Sequence, residues 1–121
     1  MSEAAGSEVL LVERGADGIV WLTLNRADAH NALDPELSAA LARAVEALQG
    51  DCVLRAVVLT GAGMSFCAGG DIKSMRETVA GDRALRVQRS ERFAGMLAAI
   101  RGLTVPVVAR VNGPAHGGGA G

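Results

Sequence analysis

Apolar residues along the chain group into four short runs, at 9–14, 19–25, 55–60 and 107–111. Each run has the length of a strand, and the last three are almost continuously apolar. Continuous apolar character is typical of strands that are covered on both faces, so we expect those three strands to be buried. Residues 15–18 begin and end with glycine, and they predict a hairpin-like turn between the first two runs.

A helical pattern follows the second run. Asp34 can cap a helix that begins at Pro35, because proline suits a first helical position where no backbone N–H is needed. Apolar residues then recur at intervals of four, four and three, which places them on one face of a helix that ends near Gly50. These residues are Leu37, Leu41, Val45 and Leu48.

Two further helices are predicted between the third and fourth runs. Asp71 can cap a short helix that continues to Met75, and Asp82 can begin a longer helix that ends at Gly102. The inward face of the longer helix is expected to carry Leu85, Phe93, Met96, Leu97 and Ile100.

The order of strands and helices predicts an α/β fold with parallel strand pairing. Residues 1–8 are small and acidic, and we expect a disordered tail there. The glycine-rich loops at 61–70 and 112–121 each follow an apolar strand. In α/β folds, ligands bind at the carboxyl ends of parallel strands, so these loops are the candidate site.

Composition excludes several classes of protein. The 121 residues carry a formal net charge of −1 and only three aromatic residues, which argues against nucleic-acid binding. No apolar run approaches the roughly 20 residues that span a bilayer, and the N-terminus lacks the pattern of a signal peptide. Cys52 and Cys67 have no metal-ligand spacing and form no disulfide framework. We therefore expect a cytoplasmic protein without a metal, nucleic-acid or membrane partner.

The two glycine-rich loops suggest backbone recognition of a ligand. Small residues at 67–70 let a ligand approach the main chain, and free N–H groups at a helix beginning near Asp71 would favour an anion or an oxyanion. Three successive glycines follow His116 in the second loop. The simpler interpretations are an ordinary strand-to-helix turn and a flexible segment. An esterase HGGG motif is also matched at 116–119, but the nucleophile elbow that should follow it is absent.

Five segments together resemble the crotonase (enoyl-CoA hydratase/isomerase) superfamily. They occur in the family's order and spacing, at 24–26, 31–33, 55–61, 65–73 and 106–119. One departure is Ala27, where the family usually has proline. The resemblance covers essentially all of residues 9–121.

The resemblance implies a fold and an activity. It implies a crotonase-like spiral of ββα units, truncated here, so that residues 9–121 form the N-terminal portion of a domain about twice as long. It implies an acyl-CoA thioester substrate, with coenzyme A as part of the substrate and no separate cofactor. Full-length members are usually homotrimers or hexamers built from two trimers.

Site residues follow from the same resemblance. The oxyanion-hole donors would be the backbone N–H groups of Gly70 and Gly118, which would stabilise a thioester enolate. Lys73, the only lysine, would contact a phosphate of coenzyme A. The other residues that would line the coenzyme A path are His30, Ala32, Leu33, Ala68, Asp71 and Ile72.

Gly121 departs from the family's hydratases, in which a catalytic glutamate occupies this position. Hydration uses two carboxylates, whereas moving a double bond needs one base, so isomerase or specialised hydratase activity stays open. Other crotonase reactions, such as thioester hydrolysis or decarboxylation, are also open. A non-catalytic acyl-CoA-binding fragment is the third alternative. We expect the isolated 121-residue chain to be inactive, with the acid/base carboxylate supplied by a longer protein.

Overall fold

The computed structural model describes residues 3–5, 9–70 and 83–121. The described strands form one five-stranded sheet in the order β1-β2-β3-β4-β5. Their bounds are Glu3–Ala5, Leu10–Arg14, Ile19–Leu24, Ala56–Gly61 and Val107–Arg110. The pairs β1–β2 and β2–β3 are antiparallel, whereas β3–β4 and β4–β5 are parallel. The predicted α/β class and the predicted hairpin between β2 and β3 are therefore confirmed.

Two long helices lie in the described part of the chain, α1 at Pro35–Leu48 and α2 at Arg83–Arg101. The Oδ1 atom of Asp34 accepts a hydrogen bond from the Leu37 N–H at 2.8 Å, which confirms the predicted N-cap. Short 3-10 helices occur at Ala27–Ala29 and Gly117–Gly119.

The hydrophobic core lies between one face of the sheet and the apolar stripe of α1. Leu37, Leu41, Val45 and Leu48 are all buried, as the spacing predicts. From the sheet they meet Leu10, Val20, Leu22, Leu24 and Val57, and Met96 joins them from α2. The core fixes α1 against the sheet and leaves the carboxyl ends of β3, β4 and β5 free to support loops.

The predicted disordered tail at 1–8 is wrong for Glu3–Ala5. These residues pair antiparallel with β2, in the register Glu3 with Arg14 and Ala5 with Val12. The outer edge of β2 would otherwise present unpaired N–H and C=O groups, and a three-residue strand satisfies them.

The prediction that the apolar strands are covered on both faces is wrong for β3 and β5, whereas no residue of β4 is exposed. Burial alternates along β3, where Val20 and Leu22 are buried while Trp21 between them is 38% exposed. Every residue of β5 is exposed, including Val108 at 52%. β5 is the edge strand of the sheet and pairs with β4 alone, so among the described residues it has a neighbour on one side only.

The longer predicted helix is confirmed within one residue at its C-terminal end. Phe93, Leu97 and Ile100 pack against the core beside the buried Met96, but Leu85 is 37% exposed, so its predicted inward position is wrong. Leu85 lies in the first turn of α2, more than two turns before Met96, whereas the residues that contact the core lie toward its C-terminal end. The predicted helix starts at Asp71 and Asp82 lie outside the described residues.

Candidate functional site

Three loops meet at one edge of the sheet. Because β3, β4 and β5 are parallel, their carboxyl ends lie at the same edge, and each continues into a loop. These loops are called here L3 (residues 25–34), L4 (62–70) and L5 (111–119). The edge is therefore built from main chain supplied by three separate parts of the sequence.

L4 and L5 are joined through their backbones. The N–H groups of Phe66 and Cys67 donate to the Pro114 carbonyl at 3.0 and 3.4 Å, and the His116 N–H donates to the Cys67 carbonyl at 3.0 Å. Cys67 and Ala115 form a parallel bridge at this point. The two glycine-rich loops singled out in the sequence are thus held side by side.

L4 is joined to L3 in the same way. The Ala68 N–H donates to the His30 carbonyl at 3.0 Å, and the Leu33 N–H donates to the Gly69 carbonyl at 2.6 Å. Leu33 and Gly70 form a second parallel bridge. The structure therefore brings together four of the predicted coenzyme A residues, which are His30, Ala32, Leu33 and Ala68, and places Gly70 beside them.

The predicted oxyanion donors lie at the ends of this arrangement. Gly70 is exposed, and no hydrogen-bond acceptor for its N–H is found among the described residues. Gly118 is the second residue of the 3-10 helix Gly117–Gly119, and the first N–H groups of such a helix have no acceptor within it. Asp71, Ile72 and Lys73 lie outside the described residues.

The Cys67 side chain is buried beneath the site. Its exposed fraction is 2%, and burial raises the pKa of the Cys67 thiol, partly offset by a hydrogen bond from the Gly69 N–H. Its place in the core cluster makes Cys67 a packing residue beneath L4.

His30 has its backbone in the left-handed region, with φ of 53°, and its side chain is held by L4. Its Nδ1 atom lies 3.0 Å from the Ser65 hydroxyl oxygen, which is itself nearly buried. Arg26 supports the same loop from the other side, since its guanidinium donates to the Ala32 carbonyl at 2.6 Å. L3 is thus fixed at both ends of its turn.

Two asparagines for which the sequence predicted no supporting role connect all three loops. Asn31 is fully buried, and its side-chain amide donates to the Ala62 and Ser65 carbonyls, both at 2.9 Å. The Asn112 amide donates to the Gly63 and Ser65 carbonyls, both at 3.1 Å. The signal in the sequence is weak, because asparagine in a loop is normally solvated.

The described residues contain no group of three or more His, Cys, Asp or Glu side chains that could hold a metal ion. Within the same residues, no helix is long and apolar enough to cross a membrane.

In α/β folds, the edge at which parallel strands end in glycine-rich loops is the usual position of a ligand site. Residues 14–121 match the enoyl-CoA hydratase/isomerase family, and the chain belongs to that family. The fold is accordingly that of the crotonase superfamily, as the five sequence segments predict.

Individual relatives agree with this assignment. Enoyl-CoA hydratase EchA19 of Mycobacterium tuberculosis is 36% identical over 115 residues, which covers 95% of this chain and 42% of the relative. The 1,2-epoxyphenylacetyl-CoA isomerase of Escherichia coli is 36% identical over 104 residues, or 85% of this chain and 40% of the relative. The crystal structure of an enoyl-CoA hydratase from Mycobacterium smegmatis superimposes with a TM-score of 0.81 and 42% identity, over 87% of this chain and 40% of that protein.

The chain spans about 40% of the length of the relatives that it matches. These relatives include a hydratase and an isomerase, so the family alone does not choose between the two reactions.

Proposed function

We propose that this chain supplies the acyl-CoA-binding and oxyanion-stabilising part of an enzyme of the enoyl-CoA hydratase/isomerase type. The observation that carries the proposal is the pairing of L4 with L5 through Phe66, Cys67 and His116, in a chain of this family. That pairing holds two glycine-rich loops side by side at one edge of the sheet. Such an edge suits a ligand whose reacting oxygen becomes negatively charged.

The chemistry assigned to the amides is electrostatic. When a proton leaves the α-carbon of an acyl-CoA, or water adds at the β-carbon of an enoyl-CoA, negative charge moves onto the thioester oxygen. The N–H groups of Gly70 and Gly118 would donate to that oxygen and lower the energy of the enolate. Removing one oxyanion donor typically lowers kcat by about 10²–10³-fold.

Coenzyme A would lie along L3. The His30 carbonyl and the Leu33 N–H are both hydrogen-bonded to L4. The side of L3 away from those two bonds would therefore face the coenzyme A part of the substrate. Lys73 would pair with a phosphate as a point charge. Neither assignment requires a metal or a redox group.

Gly121 favours double-bond migration over simple hydration. A hydratase of the two-carboxylate type needs a glutamate where this chain has glycine, whereas an isomerase needs a single base that shuttles a proton. Since residues 1–121 provide no assigned acid or base, we expect the purified 121-residue chain to be inactive alone. A non-catalytic acyl-CoA-binding protein is the alternative that the same observation supports. We also expect the full-length natural protein to be cytoplasmic and to form a homotrimer or hexamer.

The test is an assay of the full-length natural protein against a panel of enoyl-CoA thioesters. Hydration and double-bond migration are scored separately, by product analysis of each reaction, and binding of coenzyme A thioesters is measured in parallel. We expect saturable binding together with turnover in one of the two assays. Binding without turnover would select the non-catalytic alternative, and the absence of both would contradict the proposal.

A further inference from the structure

We infer that Asn31 and Asn112 are positioning residues that hold L4 in place against L3 and L5, and so fix the Gly70 amide for the reaction. The inference rests on the proposed function. It concerns side chains that lie behind the glycine-rich loops and have no contact with substrate assigned to them.

Asn31 uses its whole side chain on backbone groups. Its Oδ1 atom accepts from the Arg26 N–H at 2.8 Å, within L3, while its Nδ2 donates to two carbonyls of L4. The side chain is fully buried, so none of these groups can exchange its partner for water. Its backbone φ of 57° is in the left-handed region, which asparagine tolerates better than most residues.

Asn112 makes the equivalent set of bonds from L5. Its Oδ1 atom accepts from the Gly61 N–H at 3.1 Å, at the end of β4, and its Nδ2 donates to the Gly63 and Ser65 carbonyls. The Ser65 carbonyl therefore receives one amide donor from each asparagine. This oxygen is the point at which L3, L4 and L5 are tied together.

From Ser65 to Gly69 every residue of L4 has a backbone group engaged with L3, with L5 or with one of the two asparagines. Phe66 and Cys67 bond to L5, and Ala68 and Gly69 bond to L3, so the chain reaches Gly70 in a fixed position. Without the two amides, the Ala62, Gly63 and Ser65 carbonyls would lose their donors, and only the backbone bonds of residues 66–69 would hold L4 against L3 and L5. A displacement of about 1 Å at a catalytic group can lower the rate by about 100-fold.

The test replaces each amide by the isosteric carboxyl, Asn31→Asp and Asn112→Asp, in the full-length natural protein. Each variant keeps the acceptor oxygen and loses both N–H donors. We expect kcat for the enoyl-CoA reaction to fall by about 10–100-fold while KM changes by less than about threefold, because coenzyme A contacts are retained and the oxyanion donors are displaced. Both kcat and KM are measured at a temperature below the unfolding transition of each variant.

Val45→Ala is the matched control, because Val45 is buried on α1, away from the three loops. It lowers the unfolding temperature but is expected to leave kcat within about twofold of the wild type. Unchanged kcat in both folded Asp variants would overturn the inference, as would the failure of both to fold, since the amides would then act on stability alone. Lack of turnover in the wild type would instead count against the proposed function.

Discussion

At the residue scale, the contact between L4 and L5 depends on the absence of a side chain at position 119. A Cβ atom on Gly119 would collide with the carbonyl oxygen of Cys67 and lie 2.8 Å from its Cβ. That carbonyl already accepts from the His116 N–H, so it cannot move without breaking the bond between the loops. Gly119 is therefore required by close packing of two backbones.

Gly119→Ala is expected to destabilise the full-length protein by about 1–3 kcal/mol, because the new methyl group overpacks the junction. Gly95→Ala is the matched control, since Gly95 lies within α2 and a Cβ there would meet nothing within 4 Å. This control should stabilise the protein by roughly 0.5–1 kcal/mol through helix propensity. Urea unfolding of both variants checks the prediction, and equal shifts of the same sign would contradict it.

The sequence allowed some of the candidate site to be predicted, but not what supports it. Glycine after an apolar strand pointed to the two loops, and the resemblance to the crotonase family pointed to Gly70 and Gly118 within them. Asn31 and Asn112 are 81 positions apart, and only the fold shows that both amides reach the Ser65 carbonyl. Hydrogen-bond partners of this kind depend on tertiary structure and leave no local pattern.

At the element scale, α1 is fixed at its start by Asp34. We expect Asp34→Ala to lower the free energy of unfolding by about 1 kcal/mol, because the Leu37 N–H loses its acceptor. Asp34→Asn keeps an acceptor oxygen at the cap and should cost only a few tenths of a kcal/mol. Chemical unfolding of the three proteins measures the difference, and an equal loss in both variants would point to the nearby Arg26 guanidinium instead of the cap.

Elements with their own local signals were predicted well. The cap, the proline and the apolar spacing of α1 all lie within 15 residues, and the helix is found within two residues of the predicted end. The burial of a strand's two faces cannot be predicted from local signals in this way, because it depends on the elements that pack above and below the sheet. The apolar run of β5 therefore predicted a strand correctly but gave the wrong burial, and the pairing of Glu3–Ala5 with β2 had no local signal at all.

At the scale of the whole molecule, one ion pair joins the sheet to the segment that follows α1. The Arg14 guanidinium donates to the Asp51 carboxylate at 2.9 Å, across 37 positions of sequence. That hydrogen bond is the main reason that the pKa of Asp51 lies below its ordinary value of 3.8. A second hydrogen bond, from the Val53 N–H, lowers the pKa further.

A lowered folded pKa gives a contribution to stability that is present above about pH 4 and is lost as the pH falls through the folded pKa of Asp51. We therefore expect Asp51→Asn to be less stable than the wild type at neutral pH, with the difference shrinking toward about pH 2 as the wild-type carboxylate is protonated. Unfolding of both proteins across this range provides the comparison. A difference that stays constant with pH would show that the Arg14–Asp51 pair has no linkage to folding.

If backbone N–H groups stabilise the thioester enolate, deleting one of them without adding a side chain must slow the reaction. Replacing Gly118 by glycolic acid in the full-length protein exchanges the amide for an ester and deletes the N–H. The control replaces Ala120 by lactic acid, which deletes an N–H that donates to the Gly117 carbonyl at 3.1 Å. We predict that kcat falls by about 10²–10³-fold at position 118 and by much less at position 120. Unchanged turnover at position 118, or an equal loss at both positions, would contradict the claim.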